Sequence, residues 1–327
     1  MKILVTGGAG FIGANLCRTL SATPDLDVIA LDDLSTGSRS NLEGVDASLV
    51  VGSILDREVM DAVTAGVSSI VHLAAIPSVP RSLVDPVASH AANATGSLEV
   101  LEAARRVGAH VVLASSSSVY GRNPALPKHE ELRCEPMSPY AVSKLAAESY
   151  ALAYAACYDL EVLPFRFFNV FGPLQAAGHA YAAVVPAFVD AALAGRPLPV
   201  HGDGSQSRDF TYVETVTRVL SEAALRRVSS PDPVNLAFGS RTTLMEVIDL
   251  LGDILGRRLD VEHLPTRAGD VPHSQADHGR LRALFPELGP VPLRTGLERT
   301  VAWFESLSPA DRSSEQPSPI GASATAG

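Results

Sequence analysis

Six short apolar runs, separated by longer stretches of helical character, constrain the fold of this chain more than any other feature. They begin at Lys2 (KILVTG), Asp27 (DVIALDD), Ser48 (SLVVGSI), Ser68 (SSIVHLAA), His110 (HVVLASS) and Leu160 (LEVLPFRFFNV). Nearly continuous apolar runs of this length are typical of strands that are buried on both faces of a parallel sheet. Helices between such strands provide the crossover connections that parallel pairing requires. The first half of the chain therefore predicts an α/β fold with a doubly wound parallel sheet.

The second half of the chain has a different pattern. Proline and glycine punctuate residues 196–213, and shorter helical stretches follow near residues 214–227 and 244–255. We expect residues 1–168 to form the domain with the parallel sheet. Residues 169–307 should form a smaller C-terminal α+β lobe that binds substrate, with segments that return to the first domain. Residues 308–327 are small, polar and proline-containing, which predicts a disordered tail.

The overall composition narrows the possible classes of partner. The formal net charge is −10 and the sequence contains no basic cluster. A nucleic acid or an anionic membrane would require a stripe of Lys and Arg, so neither is an expected partner. The three cysteines are odd in number and widely spaced, which fits neither a disulfide framework nor a zinc site. No signal segment opens the chain and no apolar run reaches membrane-spanning length, so we expect a cytoplasmic protein.

The segment TGGAGFIG joins the first apolar run to the first helical stretch and places Gly7, Gly10 and Gly13 three residues apart. Glycines in this position allow backbone N–H groups to approach a pyrophosphate at the N-terminus of a helix. Asp32 ends the second apolar run, where a carboxylate binds the hydroxyls of an adenosine ribose and repels a 2′-phosphate. The pattern predicts a Rossmann-type site for NAD. Arg39, in the following loop, is the residue that would favour NADP.

The segment SPYAVSK places Tyr140 and Lys144 four residues apart, hence on one face of a helix that begins near Pro139. An ordinary tyrosine, with a pKa of roughly 10, is a poor base near neutral pH. The positive charges of a lysine and of an oxidised nicotinamide would lower that pKa. Tyr140 would then remove a proton from a hydroxyl while hydride leaves to the cofactor, and Lys144 would hold the nicotinamide ribose. The serine run at residues 115–118 would supply a hydroxyl that positions the reacting group.

Together these motifs resemble the extended short-chain dehydrogenase/reductase family. The segments TGGAGFIG, HLAA, SSSSVYG, YAVSK, RFFNVFG and RAGDVPHSQAD follow the family's order between about Met1 and Leu307. Within this family the motifs more closely resemble the UDP-hexose 4-epimerases, in particular the bacterial type that accepts N-acetylated sugars. The resemblance implies that hydride passes from sugar C4 to NAD, that the 4-keto sugar turns over, and that hydride returns to the opposite face. NAD would then be tightly bound and regenerated in each turnover.

The resemblance also implies the catalytic residues. The family's catalytic Ser or Thr lies five residues before the glycine of VYG, which is Ser116 here, and it acts with Tyr140 and Lys144. Related sugar 4,6-dehydratases carry Asp-Glu at the next two positions, where this chain has Ser117 and Ser118. Serines cannot replace an acid/base pair that eliminates water, so the resemblance implies epimerisation.

Further contacts follow from the same resemblance. The implied cofactor-binding residues are Gly7, Gly10, Phe11, Ile12, Gly13, Asp32, Ser53, Ile54, Leu73, Ala74, Ala75, Asn93, Tyr140, Lys144 and Phe167. The implied substrate-binding residues are Arg81, Ser116, Ser117, Ser118, Asn169, Gln175, Arg208, Arg267, Asp270 and Ser274. Within this set Asn169, Arg208 and Arg267 would contact the diphosphate, and Asp270 the uridine ribose. No histidines have metal-ligand spacing, so no metal site is expected.

Two positions bear on the identity of the sugar. In these epimerases the residue four after the Asp of RAGD borders sugar C2, and here it is the small Ser274. Gln175 lies where a polar side chain faces the same region in the N-acetyl-sugar enzymes. We therefore expect interconversion of UDP-GlcNAc and UDP-GalNAc, with UDP-Glc and UDP-Gal also accepted. UDP-glucuronate is the close alternative, for which His179 or Arg81 would have to bind the carboxylate.

Two other classes remain as alternatives. One is a non-catalytic relative that senses NAD, which would typically lack one of the three catalytic residues. The other is an NADPH-dependent ketoreductase, which would consume cofactor in each turnover. The family analogy also implies a homodimer, with the small-residue faces of the helices near residues 83–107 and 139–157 as the interface.

Overall fold

The structure is a computed structural model and describes residues 1–177, 182–266 and 271–308. The strands are Lys2–Thr6 (β1), Asp27–Asp32 (β2), Ser48–Val51 (β3), Ser69–His72 (β4), His110–Ser116 (β5), Val162–Phe167 (β6), Asn169–Phe171 (β7), Leu198–His201 (β8), Ser207–Arg208 (β9), Phe210–Tyr212 (β10), Val234–Leu236 (β11), Thr242–Thr243 (β12) and Val261–Leu264 (β13). The α-helices are Phe11–Ser21 (α1), Arg57–Thr64 (α2), Val79–Val84 (α3), Pro86–His90 (α4), Gly96–Val107 (α5), Pro139–Tyr158 (α6), Val184–Leu193 (α7), Val213–Leu225 (α8), Leu244–Leu255 (α9), Gly279–Leu284 (α10) and Leu293–Ser306 (α11).

Seven parallel strands form the central sheet, in the order β11-β6-β5-β4-β1-β2-β3. Strand β1 pairs with β2 on one side and with β4 on the other, so that Val5 lies between Ala30 and Val71. The direction of winding therefore reverses between β1 and β4. In doubly wound sheets, ligands bind at the carboxyl ends of the strands at this reversal. The prediction of a doubly wound parallel sheet is confirmed.

Helices cover both faces of the sheet because successive residues of a strand point to opposite sides. Ile3 and Val5 pack with residues of α1 and α8 on one face, whereas Leu4 packs with residues of α2, α5 and α6 on the other. All three side chains are fully buried. This burial on both faces explains why the strands appear in the sequence as uninterrupted apolar runs.

A second, smaller set of elements packs around its own core. It contains the parallel pairs β7–β10 and β8–β13, the antiparallel pair β9–β12, and helices α7, α9 and α11. Phe171, Phe188 and Phe304 lie fully buried in this core. Two elements of the second half return to the central sheet: β11 pairs with β6, and α8 packs on α1. The predicted domain boundary between residues 168 and 169 stays a prediction.

The prediction of one continuous helix over residues 83–107 is wrong. The sequence predicted a single helix over residues 83–107, but the chain forms α3, α4, a π-helical turn at Ala91–Thr95 and α5. The break lies at Asp85, whose backbone is extended (φ −134°, ψ 86°) and whose side chain caps the next helix through Ala88 N at 2.9 Å. Proline has no N–H and disfavours the helical conformation at the residue before it, so Pro86 ends one helix and starts the next.

The predicted tail over residues 308–327 lies, except for Ser308, outside the described residues. Within the described part of the chain, no helix combines the length and the apolar character needed to cross a membrane.

Candidate active site

A cleft of about 700 Å³ opens at the carboxyl ends of β1, β4 and β5, where the winding of the sheet reverses. The turn after β1, the ends of these strands and the first turns of α6 contribute to its wall. The predicted site residues that line it are Gly7, Gly10, Phe11, Ile12, Gly13, Asp32, Ser53, Ile54, Leu73, Ala74, Ala75, Arg81, Ser116, Tyr140, Lys144, Phe167 and Gln175. The fold thus brings the predicted cofactor and catalytic residues together from distant segments.

The glycine turn allows α1 to begin directly against the loop after β4. Gly7 has a positive φ of 69°, and a Cβ at this position would lie 2.8 Å from the backbone nitrogen of Ala74. A Cβ on Gly13 would collide with the carbonyl oxygen of Gly7. Gly10 immediately precedes α1 and lines the cleft. The N-terminus of a helix beside an open cleft suits a pyrophosphate group, because its N–H groups have no partner within the helix.

Asp32 fixes the glycine turn and borders the cleft at the same time. Its carboxylate accepts hydrogen bonds from the backbone nitrogens of Ala9 at 2.9 Å and Leu34 at 2.8 Å. Burial raises the pKa of Asp32, and the two backbone N–H groups act in the opposite direction. A carboxylate held beside a glycine turn is the group that binds the ribose hydroxyls of NAD in this type of fold. The residues present therefore fit NAD.

Tyr140 lies in the first turn of α6, where Ser138 caps the helix by accepting a hydrogen bond from the nitrogen of Ala141 at 3.2 Å. The sequence predicted a lowered pKa for Tyr140, but burial raises it in this structure, and only the interaction with Ser116 acts to lower it. The physical reason lies at Lys144, whose ammonium group donates to the carbonyl oxygen of Ala114 at 2.9 Å. An oxidised nicotinamide bound in the cleft would lower this pKa through its positive charge.

Lys144 is buried, with 5% of its surface exposed. Burial disfavours its charged form and lowers its pKa to about 8. A lysine with this pKa is close to half-protonated under mildly alkaline conditions, so it can release or take up a proton there. Its positive charge also lowers the pKa of the buried His72, although burial is the larger cause.

The serine run forms its own hydrogen-bond network at the end of β5. The hydroxyl oxygen of Ser116 accepts from the backbone nitrogen of Ser118 at 3.2 Å and from the hydroxyl of Ser118 at 2.9 Å. Both bonds use the oxygen of Ser116 as acceptor, so its O–H remains available as a donor, and its side chain interacts with the phenol of Tyr140. Ser118 therefore orients Ser116.

Asn93, predicted to bind the cofactor, does not reach the cleft wall formed by the described residues. It is fully buried in the π-helical turn. Its Oδ1 accepts from the nitrogen of Ile76 at 2.8 Å, and its Nδ2 donates to the oxygen of Ile76 at 3.2 Å and to the hydroxyl of Ser143 at 3.0 Å. Asn93 thus ties the loop after β4, which lines the cleft, to helix α6.

Several predicted substrate residues also lie away from the described wall of the cleft: Ser117, Ser118, Asn169, Arg208 and Ser274. Arg208 and Ser274 both bind the carbonyl oxygen of Ser207 on the second lobe. The guanidinium of Arg208 donates to the carbonyl oxygens of Ser207 at 3.0 Å and Pro272 at 3.2 Å, and the nitrogen of Ser274 donates to Ser207 at 3.0 Å. His179, Arg267 and Asp270 lie outside the described residues. The residues that are described include no group of three or more His, Cys, Asp or Glu placed to hold a metal ion.

The sequence did not predict several residues that line the cleft, among them three groups: Asp33, Ser35 and Thr36; Ile76, Pro77 and Ser78; and Ala88, Ala91 and Ala92. The first two groups follow strands β2 and β4, so the rule that ligands bind at carboxyl strand ends could have found them. The alanines were interpreted as part of a subunit interface. Their small side chains line the cleft, and the subunit interface stays a prediction.

Comparisons with known proteins agree with this geometry. UDP-glucose 4-epimerase from Mycolicibacterium smegmatis is 36% identical over 315 residues, which cover 94% of this chain and all of that protein. The structure of UDP-N-acetylglucosamine 4-epimerase from Methanobrevibacter ruminantium, in complex with UDP-N-acetylmuramic acid, matches with a TM-score of 0.88 and 33% identity, covering 93% of this chain and 98% of the other. The structure of UDP-glucuronic acid 4-epimerase from Bacillus cereus, in complex with UDP-glucuronic acid and NAD, matches with a TM-score of 0.85 and 28% identity. The match covers 93% of this chain and 99% of the other.

The fold and the cleft define an α/β protein with a dinucleotide site at the switch point of its sheet. The model of the NAD dependent epimerase/dehydratase family matches residues 3–237, and the chain belongs to this family. Its cofactor is NAD.

Replacing Lys144 by Met should change how the stability of the protein depends on pH. Below pH 8 the lysine is protonated in both the folded and the unfolded chain, so its burial opposes folding fully. Between pH 8 and 10.5 the folded chain loses the proton first, and the cost disappears. We expect the free energy of unfolding of K144M, relative to the parent, to be highest near pH 7 and to decline as pH rises through this range. Urea unfolding at several pH values in this range measures the difference in free energy of unfolding between K144M and the parent. A difference that grows with pH contradicts the lowered pKa of Lys144.

Proposed function

We propose that this protein is an NAD-dependent UDP-sugar 4-epimerase that interconverts UDP-GlcNAc and UDP-GalNAc. The observation that carries the proposal is the meeting of Tyr140, Lys144 and Ser116 at the wall of one cleft with the glycine turn. Ser117 and Ser118 follow Ser116 where a dehydratase would need an acid/base pair, which favours epimerisation over elimination.

In the proposed reaction, Tyr140 takes the proton of the sugar 4-hydroxyl and returns it to the same oxygen when the 4-keto sugar is reduced. The O–H of Ser116 donates to the same sugar oxygen, because its own oxygen is already held by Ser118. Lys144 holds the nicotinamide ribose. The chemistry that bound NAD supplies is acceptance of a hydride from C4 and its return to the opposite face of the 4-keto sugar. Because the cofactor is restored in each turnover, we propose that it stays bound throughout.

Tyr140→Phe tests the proposed role of the phenol. We expect kcat for epimerisation to fall by about 10³-fold, within the usual contribution of a positioned acid or base, while bound NAD remains. Turnover of the nucleotide sugar and the cofactor released on denaturation are the measurements. Tyr150→Phe is the matched control, because Tyr150 lies on the same helix and is 43% exposed. Turnover of Y140F equal to that of the control contradicts the role.

Two features support the acetamido sugar as substrate. The family resemblance places the small Ser274 beside sugar C2, and in the structure it is buried on the lobe that carries Arg208, outside the described wall of the cleft. Gln175 lines the cleft, and its Oε1 is buried without a hydrogen-bond partner among the described residues. A buried acceptor without a partner costs free energy, which the N–H of a 2-acetamido group would recover.

Ser274→Tyr tests the space proposed for the acetamido group. We expect kcat/KM for UDP-GlcNAc to fall by about 100-fold, since a clash with several atoms exceeds the discrimination of a single methylene. Turnover of UDP-Glc, which has only a hydroxyl at C2, should be retained. Ser274→Ala, which keeps the position small, is the control and should retain both substrates. Equal losses for the two sugars in S274Y would contradict the proposal.

A second candidate substrate is UDP-glucuronate, which is favoured by Arg81. This arginine lies on α3 and lines the same cleft, where its charge would suit a 6-carboxylate. Parallel epimerisation assays with UDP-GlcNAc, UDP-Glc and UDP-glucuronate separate the candidates. Turnover of none of them would instead favour a non-catalytic relative that senses NAD.

We also propose that two copies of the chain associate through an apolar helix surface formed by Leu83, Val84, Val87 and Val142. These side chains are 63%, 62%, 77% and 51% exposed. They lie on α3, α4 and α6, which pack against one another. Exposed apolar side chains that cluster in this way are typical of protein–protein interfaces.

Val87→Asp tests this surface, because a buried carboxylate at the interface would oppose association. We expect the parent to be a dimer in light scattering and V87D to be a monomer at the same concentration. Val51→Asp is the control, since Val51 is also exposed but lies on the edge strand β3, at the other side of the sheet from α6. A parent that is monomeric at high concentration would contradict the proposed dimer.

A further inference from the structure

Three consecutive residues at the end of β5 contact three successive turns of α6. The carbonyl oxygen of Ala114 accepts from Lys144 Nζ at 2.9 Å, and the side chain of Ser116 interacts with the phenol of Tyr140. Between them, the hydroxyl of Ser115 donates to Glu148 Oε2 at 2.7 Å. Tyr140, Lys144 and Glu148 are spaced four residues apart, so they lie on one face of the helix. Two of these contacts involve the proposed catalytic residues, and the third does not.

The third contact leads to a buried ion pair. Glu148 and Arg166 are 2% and 4% exposed. Arg166 binds the carboxylate with two nitrogens, Nη2 to Oε1 at 2.6 Å and Nε to Oε2 at 3.0 Å. A bidentate pair of this kind fixes direction as well as distance, because the guanidinium fork is planar and rigid.

Arg166 is itself held from other sides. It lies opposite Ser115 in the pairing of β5 with β6. Its Nη1 donates to the carbonyl oxygen of Glu130 at 3.2 Å, and its guanidinium lies 4.7 Å from the centre of the Tyr120 ring. A buried ion pair often adds little net stability, since desolvation of both charges offsets their attraction. These contacts therefore chiefly fix the position of Glu148.

We propose that Ser115 is a positioning residue: by binding the fixed Glu148–Arg166 pair, it sets the end of β5 against α6 so that Ser116 and Tyr140 meet correctly. Ser115 also lines the cleft, but its hydroxyl donates to Glu148 and not to a proposed reacting group. It acts through its two neighbours in the chain, Ala114 and Ser116, whose partners on the helix are Lys144 and Tyr140. The inference rests on the proposed function only where turnover is the readout.

The test uses Ser115→Ala, because variants of Glu148 or Arg166 would leave a buried charge without its partner and unfold the protein. Ser69→Ala is the matched control. Ser69 is fully buried in the neighbouring strand β4, and its hydroxyl donates to the carbonyl oxygen of Ala224 at 2.8 Å, far from Tyr140 in the chain. Each variant removes one buried hydroxyl hydrogen bond from the same sheet, so a similar fall in melting temperature is expected for both.

Two readouts separate positioning from a general loss of stability. The first is steady-state epimerisation: S115A should lower kcat by about tenfold, since small misplacements of reacting groups are costly, with KM close to that of the parent. The second is the NMR resonance of Tyr140 in protein labelled with ¹³Cζ-tyrosine, assigned by its loss in Tyr140→Phe. That resonance should move in S115A, and both kcat and the resonance should match the parent in S69A.

The proposal is overturned if S115A and S69A have the same kcat and the same Tyr140 resonance. It is also overturned if kcat falls in S115A while the resonance stays in place, because Ser115 would then act by another route. If the parent turns over no UDP-sugar, the proposed function fails, and the NMR comparison alone still decides whether Ser115 positions Tyr140.

Discussion

Parallel pairing is the constraint on which the rest of this structure depends. It brings the carboxyl ends of all seven strands to one edge of the sheet, so residues that are far apart in sequence become neighbours there. Gly7 follows β1, Ala74 follows β4 and Ser116 ends β5, and all three line one cleft. The reversal of winding between β1 and β4 leaves a gap between helices at this edge, because α1 and the helices after β4 lie on opposite faces. The cleft is therefore a consequence of topology, and the side chains decide what it can bind.

Burial is the second physical constraint on the site, and it shifts the pKa of each of its three ionisable groups discussed above, Asp32, Lys144 and Tyr140. Asp32 tolerates burial because two backbone N–H groups bind its carboxylate. Lys144 has one carbonyl partner, and its pKa falls to about 8. Among the described residues no cation lowers the pKa of the Tyr140 phenol, so burial raises it. The protein groups alone hold the proton on Tyr140, and a positive nicotinamide ring would shift the balance. In the proposed function, loading of the cofactor thus activates the base.

The sequence predicted the sheet well and the connections less well. Six strands were evident because burial on both faces produces long apolar runs, whereas Val234–Leu236 was missed because three residues carry no periodicity. Pro86 is itself a sequence signal for the break between α3 and α4, but the helical pattern of the surrounding residues concealed it. The glycine turn, Tyr140 and Lys144 could be predicted because their spacing within one element carries their chemistry. The bond between Ser115 and Glu148 could not, since it depends on how a helix packs against a strand 33 residues away.

In the second lobe, too, a contact that the sequence does not predict matters for the proposed substrate specificity. Asp209 follows Arg208 and is fully buried. Its carboxylate accepts from the nitrogen of Gly239 at 2.9 Å, the nitrogen of Ala276 at 3.1 Å and the hydroxyl of Ser240 at 2.8 Å. One carboxylate therefore joins three segments of the chain, including the one that carries Ser274. A buried carboxylate with these partners satisfied holds its neighbours in place, and the same group without them would be costly. The position of Ser274, and with it the proposed space for an acetamido group, thus depends on a contact that no local sequence pattern marks.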